Sequence, residues 1–468
     1  MAAAVLTGPD SQLLPVHSNK LWFEVSGHVE PTPPATGEYK FNYVIDLHVD
    51  GASDPTVRVL KKPDTGTTTA KFDIRGLLQT ELSADKEATA TYPVLRFPSD
   101  DASDDDPFNL PSAGKDCIKV EIKVGRSYAT TADGSVSITA AEETHTVYLW
   151  NGTFQYTDDG TVVNKFALSG STKRVLSDRK VNTFVPTLTS DYSNVDVDND
   201  IFIKAYDDSY YVLSFLNDDG TYLTGHDATK IEVKLGLNDG TETASVYVDI
   251  DSANGAATPA ATVDANQKLV RLGCGPAQVA EWDSSFGITL PSNYAYYKIR
   301  WVDTNNTAAS RFYVFLNLNR ALAKNLFNGC YGDHDRYQFA WLNSRGGWDF
   351  ANFNNITTIT TRASKKMYQR AQTEQGEPYE SDFIRPAQTA SKTSYTLRSE
   401  FLQHNEMELL RQAVNSPQTY LIALDGGDTI IPVNVKTSTF SNPANAVGKS
   451  RFFTLEVEEA AHQLVQFV

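Results

Sequence analysis

The chain has 468 residues, enough for about three domains of ~150 residues each. Its 41 basic and 58 acidic residues give a formal net charge of −17, so we expect no sequence-specific nucleic-acid binding. The three cysteines are too few and too widely spaced for a disulfide framework or a paired-cysteine metal site. No apolar run approaches the ~20 residues of a membrane-spanning helix, and the opening residues lack an export signal. We therefore expect a chain that is made in a cytoplasm and does not bind a membrane.

Residue usage indicates a fold rich in strands. The chain has 22 tyrosines and 23 phenylalanines but only three methionines. Aromatic side chains favour strands, and long helical patterns are nearly missing from the sequence. We therefore predict a mainly β fold, with serial β-sandwich domains and a C-terminal mixed hairpin-and-helix module.

The first third of the sequence begins without a pattern, so residues 1–17 are predicted to be an N-terminal arm. Tyr39–Val49 then alternates between apolar and polar positions, and the turn pair Asp50-Gly51 follows it. Ile118–Val124 alternates in the same way. These strands predict a β-sandwich domain over residues 18–150.

The middle third repeats these features. Asp-Gly turn signals at 158–160, 218–220 and 238–240 separate short strand-like segments. Regular short strands between such turns are typical of a sandwich, so we predict a second β-sandwich domain over residues 151–325.

The last third, residues 326–468, is predicted to be a mixed β/α domain. A hairpin runs through the turn Ser344–Gly347, and the polar stretch 363–386 is predicted to be an extended arm. Glu406–Val414 is the most convincing helix, with Asn405 as its N-cap. The final strand is predicted over Phe452–Glu458.

The search for catalytic or metal-binding motifs gives only weak candidates. The sequence has no P-loop, no H-E-x-x-H, no G-x-S-x-G and no G-x-G-x-x-G. Asp196–Asp200 imitates the start of a calcium loop, but Ile201 stands where such a loop has glycine, so an acidic strand face is the favoured interpretation. The acidic loop Asp100–Asp106 could hold a divalent cation, but solvated charge at a loop tip is favoured.

Histidine and cysteine candidates are equally weak. Asp333-His334-Asp335 could orient an imidazole, but it lies in a polar turn. Cys274 lies between glycines without a nearby histidine, and Cys330 is similar, so both are interpreted as small buried residues. We therefore expect no catalytic residues, no metal and no cofactor.

The aromatic hairpin is the most distinctive segment of the sequence. Tyr337 and Trp341 lie on one strand, and Trp348 and Phe350 follow the turn. Aromatic side chains on an exposed strand can bind sugars or partner chains, which makes these four residues candidates for an interface or a glycan contact. They can equally build a core, and the core is the favoured interpretation for most of them.

Several segments, in order along the chain, resemble a known family. They are Leu21–Val25, Lys40–Leu47, Lys71–Leu78, Leu272–Pro276, Tyr296–Ile299, Tyr337–Phe350, Gln418–Leu421 and Ile430–Val435. This order resembles uncharacterised virion structural proteins of tailed bacteriophages. The most specific part is the hairpin in which Leu-Asn is followed by Gly-Gly and an aromatic-Asp pair. The sequence departs from the family around Cys330 and in the acidic loop.

The resemblance implies a structural component of a virion, in the tail, tail tip or neck ring. It implies a symmetric homo-oligomer that contacts other virion proteins and is made in the host cytoplasm, and it implies no catalytic residues. Two rival hypotheses remain open: a carbohydrate- or receptor-binding protein that uses the region of Trp341 and Trp348, and a polysaccharide-degrading hydrolase whose two carboxylates come from distant strands.

Overall fold

In the computed structural model the chain folds into a series of β-sheets. The described residues are 5–7, 13–17, 21–27, 39–64, 67–78, 81–82, 117–139, 142–152, 175–177, 179, 194–196, 199–216, 230–249, 269–280, 288–317, 337–353, 355–369, 384–399, 404–424, 429–437, 453–460 and 463–467. The fold is mainly β, which confirms the predicted class. Within these ranges no helix combines the length and apolar character that membrane crossing requires.

The first unit is a β-sandwich. Its described strands are β1 (Val5–Thr7), β2 (Leu13–Pro15), β3 (Trp22–Ser26), β4 (Tyr39–Val49), β5 (Val57–Lys61), β6 (Ala70–Asp73), β7 (Cys117–Ala129), β8 (Ser137–Ile138) and β9 (Glu143–Trp150). One sheet has the order β2-β9-β7-β4-β5, with β8 paired to β7, and the other has the order β1-β3-β6. Phe23 and Phe72 of the smaller sheet share one core with Ile45, Val120 and Ile122 of the larger sheet.

Local sequence explains the pairing of β4 with its neighbours. In β7 the buried Val120 and Ile122 alternate with partly exposed Glu121 and Lys123, which is the period of a half-buried strand. Asp50 and Gly51 have φ values of 50° and 78°. Two consecutive positive φ values are those of a type I′ turn, so Asp-Gly makes the tight bend that ends β4. The chain then returns to β5, where Val57 pairs with Leu47.

The described part of residues 1–17 belongs to the sandwich, so the prediction of a separate N-terminal arm is wrong there. β1 pairs antiparallel with β3, and β2 pairs parallel with β9. Leu6, Leu14 and Val16 are buried in the core of the first unit. Strands of three residues are too short to show a period in the sequence, which is why the arm was predicted.

The second unit is also built from two sheets over one core. Its described elements are β10 (Ile201–Ala205), β11 (Val212–Leu216), β12 (Lys230–Leu237), β13 (Val246–Asp249), β14 (Leu269–Gly273), the short helix α1 (Pro276–Ala280), β15 (Tyr294–Val302) and β16 (Tyr313–Asn317). The larger sheet has the order β10-β16-β15-β12-β13, and β11 pairs with β14. Phe215 and Leu272 from the small sheet pack with Ile231, Trp301 and Phe315 from the large one.

The third unit combines an eight-stranded sheet with one longer helix. Its described elements are β17 (Tyr337–Leu342), β18 (Trp348–Phe353), β19 (Asn355–Gln369), β20 (Ile384–Arg398), α2 (His404–Asn415), β21 (Thr419–Ala423), β22 (Thr429–Val435), β23 (Thr454–Glu459) and β24 (Gln463–Phe467). The sheet order is β18-β17-β21-β22-β23-β20-β19, with β24 paired to β20. Because α2 already includes His404 and Asn405, Asn405 lies inside the helix and is not the predicted N-cap.

The predicted arm over residues 363–386 coincides with the outer part of a long hairpin. β19 and β20 pair from Asn355 opposite Arg398 to Gln369 opposite Ile384. Fifteen residues per strand at about 3.3 Å each give the hairpin a length of about 50 Å. We call β19 and β20 together the arm hairpin. The residues between the two strands lie outside the described part of the chain.

One hydrophobic core crosses the boundary that was predicted at residues 325 and 326. Ala340, Leu342, Trp348, Phe350 and Ile422 of the third unit belong to the core of the second unit. The β17–β18 hairpin therefore packs against the sheets of the second unit, so the second and third units share a continuous apolar interior.

Candidate functional site

The four predicted aromatic site residues are buried. The exposed fractions of Tyr337, Trp341, Trp348 and Phe350 are 8, 0, 2 and 1%. A side chain that contacts a glycan or a partner chain needs an accessible face, and none of these four has one. They belong to the core, which is the interpretation that the sequence favours for most of them. The alternative, in which they form exposed contacts with a glycan or a partner, is wrong because they are buried.

The hairpin that carries these residues separates two cores. Tyr337 and Trp341 pack on the side of α2, together with Met407. Trp348 and Phe350 pack on the opposite side, in the core of the second unit. Successive side chains of a strand point to opposite faces. A hairpin with aromatic residues on both faces therefore contributes to both cores.

The turn between β17 and β18 is held by its own asparagine. The Asn343 side-chain oxygen Oδ1 accepts hydrogen bonds from the Arg345 and Gly347 backbone N–H groups, at 2.9 and 3.1 Å. Gly346 has a φ of 85°, a conformation that favours glycine. Residues 343–347 are called the junction turn, because they contact both earlier units of the chain.

The two glycines of the junction turn allow a very close approach to those units. A Cβ atom built on Gly346 would lie 2.2 Å from the Asn151 carbonyl oxygen, and one on Gly347 would lie 1.9 Å from the Leu176 carbonyl oxygen. The Trp150 indole Nε1 also donates a hydrogen bond of 3.0 Å to the Arg345 carbonyl. Only glycine fits at such distances, so the Gly-Gly pair of the sequence marks a contact between backbones.

A buried polar network completes this contact. The Asp349 carboxylate accepts hydrogen bonds from Ser177 Oγ at 2.6 Å and from Asn343 Nδ2 at 2.8 Å. Asn343 Nδ2 also donates to the Leu176 carbonyl at 2.8 Å, and Arg345 Nη1 donates to the Ser177 carbonyl at 3.1 Å. We call the junction turn, Asp349 and their partners in residues 150–152 and 176–177 the junction. It fastens the first two units to the third.

The chemistry of the junction suits a structural role. Ser177 Oγ donates a hydrogen bond to the Asp349 carboxylate, and among the described contacts of Ser177 and Asp349 there is no histidine that could act as a general base. Burial raises the pKa of the neighbouring Tyr313, and the Asp349 charge raises it further, so Tyr313 stays protonated in the folded chain. These groups are hydrogen-bonded to one another in the folded chain.

A small cleft lies next to the junction, between the second unit and α2. Its polar lining includes Arg179, Lys204, Asn352 and Glu406. Lys204 Nζ lies 3.4 Å from Glu406 Oε1, and the Arg179 guanidinium donates to the Phe350 carbonyl. The positive groups of the cleft therefore already have partners, and the cleft adds a second tie between the two units.

The acidic and cysteine candidates also have structural explanations where they are described. Asp200 Oδ2 accepts the Asp196 backbone N–H at 3.0 Å, which closes the turn before β10. Burial raises the pKa of the Cys274 thiol, so the thiolate form is strongly disfavoured. The described residues contain no cluster of His, Cys, Asp and Glu that could hold a metal ion. Asp100–Asp106, Cys330 and Asp333–Asp335 lie outside the described residues.

Replacing Asp200 with asparagine is expected to change how stability depends on pH. The pKa of Asp200 is raised, chiefly because burial disfavours its charged form, while the Asp196 N–H and Lys298 act in the opposite direction. A raised folded pKa contributes stability that is complete below the unfolded pKa of about 3.9 and is lost as the pH rises through the folded pKa. Asparagine keeps the acceptor oxygen and cannot ionise.

The Asp200→Asn variant should therefore gain stability relative to the native chain as the pH rises from about 4 through the folded pKa of Asp200. The measurement is the urea midpoint of both proteins at several pH values. A difference between the two midpoints that does not change with pH would contradict the assigned burial of the Asp200 charge.

Sequence reasoning missed the partners of the junction. Ser177 and Asp349 are 172 positions apart, and the residues around Ser177 form no regular pattern. The one usable signal was the Gly-Gly pair, which indicates a close backbone approach but not its partner.

Comparison with known proteins adds no family to these observations. No protein-family model matches the chain, and no curated protein matches it.

Proposed function

We propose that this chain is a non-enzymatic structural component of a tailed bacteriophage virion, in the tail, tail tip or neck ring. The observation that supports the proposal is the junction, which ties three β units into one body through close backbone contacts and a buried polar network. A part of a ring or tube must keep its shape while neighbours bind to it, and fixed units meet that need.

The sequence resemblance and the structure meet at the same hairpin. The Leu-Asn, Gly-Gly and aromatic-Asp positions that resemble phage virion proteins are Leu342, Asn343, Gly346, Gly347 and the pair Trp348–Asp349. Asn343, both glycines and Asp349 are the residues that build the junction. The most specific part of the resemblance thus has a structural explanation that involves no catalysis.

The net charge of −17 suits a part that does not grip DNA. In this proposal the chain is made in the host cytoplasm, forms a symmetric homo-oligomer and binds other virion proteins. The carbohydrate-binding rival relied on exposed Trp341 and Trp348, and the burial of both removes the residues on which it depended.

Mass spectrometry of gradient-purified particles tests the proposal. Particles from the culture that expresses the chain should contain it in constant proportion to other particle proteins, across all gradient fractions. An abundant host cytoplasmic protein is the control, because it should fall to background as purification proceeds. A chain that follows the host protein instead would contradict the virion role. Release of reducing ends from polysaccharide, abolished by one Asp or Glu substitution, would replace it with the hydrolase hypothesis.

A further inference from the structure

Two short strands, β1 and β2, close both sheets of the first unit on the same side. β1 is the edge of the smaller sheet, where it pairs with β3, and β2 is the edge of the larger sheet, where it pairs with β9. The Leu6 backbone N–H also donates a hydrogen bond of 2.6 Å to Glu143 on β9, so the two edges lie close together. We call β1 and β2 together the closing strands.

The closing strands fill a groove that leads into the core. Their side chains Leu6, Leu14 and Val16 are exposed to only 5, 3 and 0%, and they share one core with Phe23 of β3 and Val147 of β9. Without the closing strands this core would open, and the edges of β3 and β9 would be free to pair with a further strand. The groove must therefore be filled, and the closing strands are a sequence that fits it.

The pairing that holds the closing strands is short and does not come from a hairpin. Each of the two strands makes three register pairs. β2 runs parallel to β9, whereas the other described pairs of the larger sheet are antiparallel. Parallel neighbours cannot be joined by a tight turn, so no local connection dictates which chain supplies β2.

The link from the closing strands to β3 is also short. The His17 backbone N–H donates to the Gly152 carbonyl beside the larger sheet, while the Leu21 carbonyl accepts the Ile74 N–H beside the smaller one. Residues 18–20 alone join these two positions. Facing sheets lie about 10 Å apart, and such a link reaches about 14 Å at most, so a connection within one chain has little slack. Short hinges of this kind favour exchange of an element between copies.

We propose that the closing strands of one copy occupy the groove of a second copy of this chain. The exchange retains every pairing and buried side chain described above, and it releases the constraint of the short link. The proposal rests on the assembly role proposed above and specifies the contact between copies. Each copy then donates one pair of strands and receives another, so the same contact can be repeated around a ring.

A cysteine pair between β1 and β3 tests which chain fills the groove. Thr7 and Glu24 are register partners, and neither is buried. The Cβ atoms of directly opposite residues lie about 4.5–5.5 Å apart, close to the separation of a disulfide. The full-length variant Thr7→Cys with Glu24→Cys is oxidised and run on a denaturing gel without reductant. We expect covalently linked copies, because the bond joins two chains. A disulfide that forms only within single chains would overturn the exchange.

A second cysteine pair in the same unit is the matched control. Asp46 and Arg58 are register partners on β4 and β5, which are not closing strands, so Asp46→Cys with Arg58→Cys should give only a disulfide within one chain. Co-expression then separates the two cysteines of the test pair. A Thr7→Cys chain and a Glu24→Cys chain with a different tag should form a linked heterodimer, and its absence from the oxidised sample would contradict the proposal.

Lengthening the link tests the proposal without cysteines. A Gly-Ser-Gly-Ser-Gly-Ser insertion between Asn19 and Lys20 lets the closing strands return to the groove of their own chain. The ratio of oligomer to monomer, measured by size-exclusion chromatography with light scattering, should fall at least about tenfold. The same insertion in the exposed turn between Ala132 and Asp133 should leave that ratio unchanged. Equal ratios for the two insertions, or a native chain that is monomeric at its highest soluble concentration, would overturn the exchange.

These outcomes are independent of the test on particles. A chain that is present in purified particles but forms only disulfides within single chains would retain the virion role and lose the exchange. Linked copies of a chain that is missing from particles would retain the exchange and remove the virion role.

Discussion

Replacing Gly347 with alanine is expected to destabilise the protein by about 3 kcal/mol or more. The new Cβ would lie 1.9 Å from the Leu176 carbonyl oxygen and 2.8 Å from the Leu176 Cβ. The nearest atom belongs to the backbone and cannot rotate away, so the junction turn must move. That movement separates Asn343 from Leu176 and Asp349 from Ser177, and it leaves a buried carboxylate without its donors.

Gly76→Ala is the matched control for this substitution. A Cβ on Gly76 meets no heavy atom within 4 Å, and the residue does not have a positive φ. Its alanine variant should stay within about 0.5 kcal/mol of the native chain. Urea unfolding of all three proteins makes the comparison. Equal midpoints for Gly347→Ala and Gly76→Ala would show that the junction does not hold the units together.

Trp341→Ala is expected to cost about 3–5 kcal/mol of folding free energy, because it empties a large volume in a closed core. The Trp341 side chain is fully buried, and its ring lies 6.0 Å from the ring of Phe339. Its indole Nε1 has no hydrogen-bond partner among the described residues, so Trp341→Phe should cost clearly less than the alanine variant.

Trp22→Ala provides the control, since Trp22 is exposed to 38% and contacts Lys71 through its ring face. This variant should lose about 1 kcal/mol or less. Chemical denaturation followed by far-ultraviolet circular dichroism measures all three tryptophan variants on one scale. A Trp341→Ala protein as stable as Trp22→Ala would place Trp341 at the surface and revive the glycan-contact hypothesis.

Much of the fold was predictable because its signals are local. The alternation in β4 and β7 and the Asp50-Gly51 turn depend only on neighbouring residues, and both were read correctly from the sequence. The β17–β18 hairpin was predicted with its turn for the same reason. Strands of three residues, such as β1 and β2, carry too few positions to show a period, and they were missed.

The junction was not predictable because it depends on contacts between distant parts of the chain. Asp349 reads in the sequence as an ordinary polar residue of a strand, yet it is buried and held by Ser177 from another unit. Alternation predicts which side chains share a face, but it cannot say that both faces of a hairpin are covered. The exposure of the four aromatic residues could therefore be decided only by the packing of the second unit and α2 around them.

Immunogold electron microscopy tests the proposed virion role most directly. An antibody raised against the recombinant chain is applied to particles from the culture that expresses it. We expect gold at one fixed position on each particle, at the tail, tail tip or neck. Gold that is missing from the particles while cells or medium are labelled would contradict the proposal and leave a binding protein or an enzyme as the remaining hypotheses.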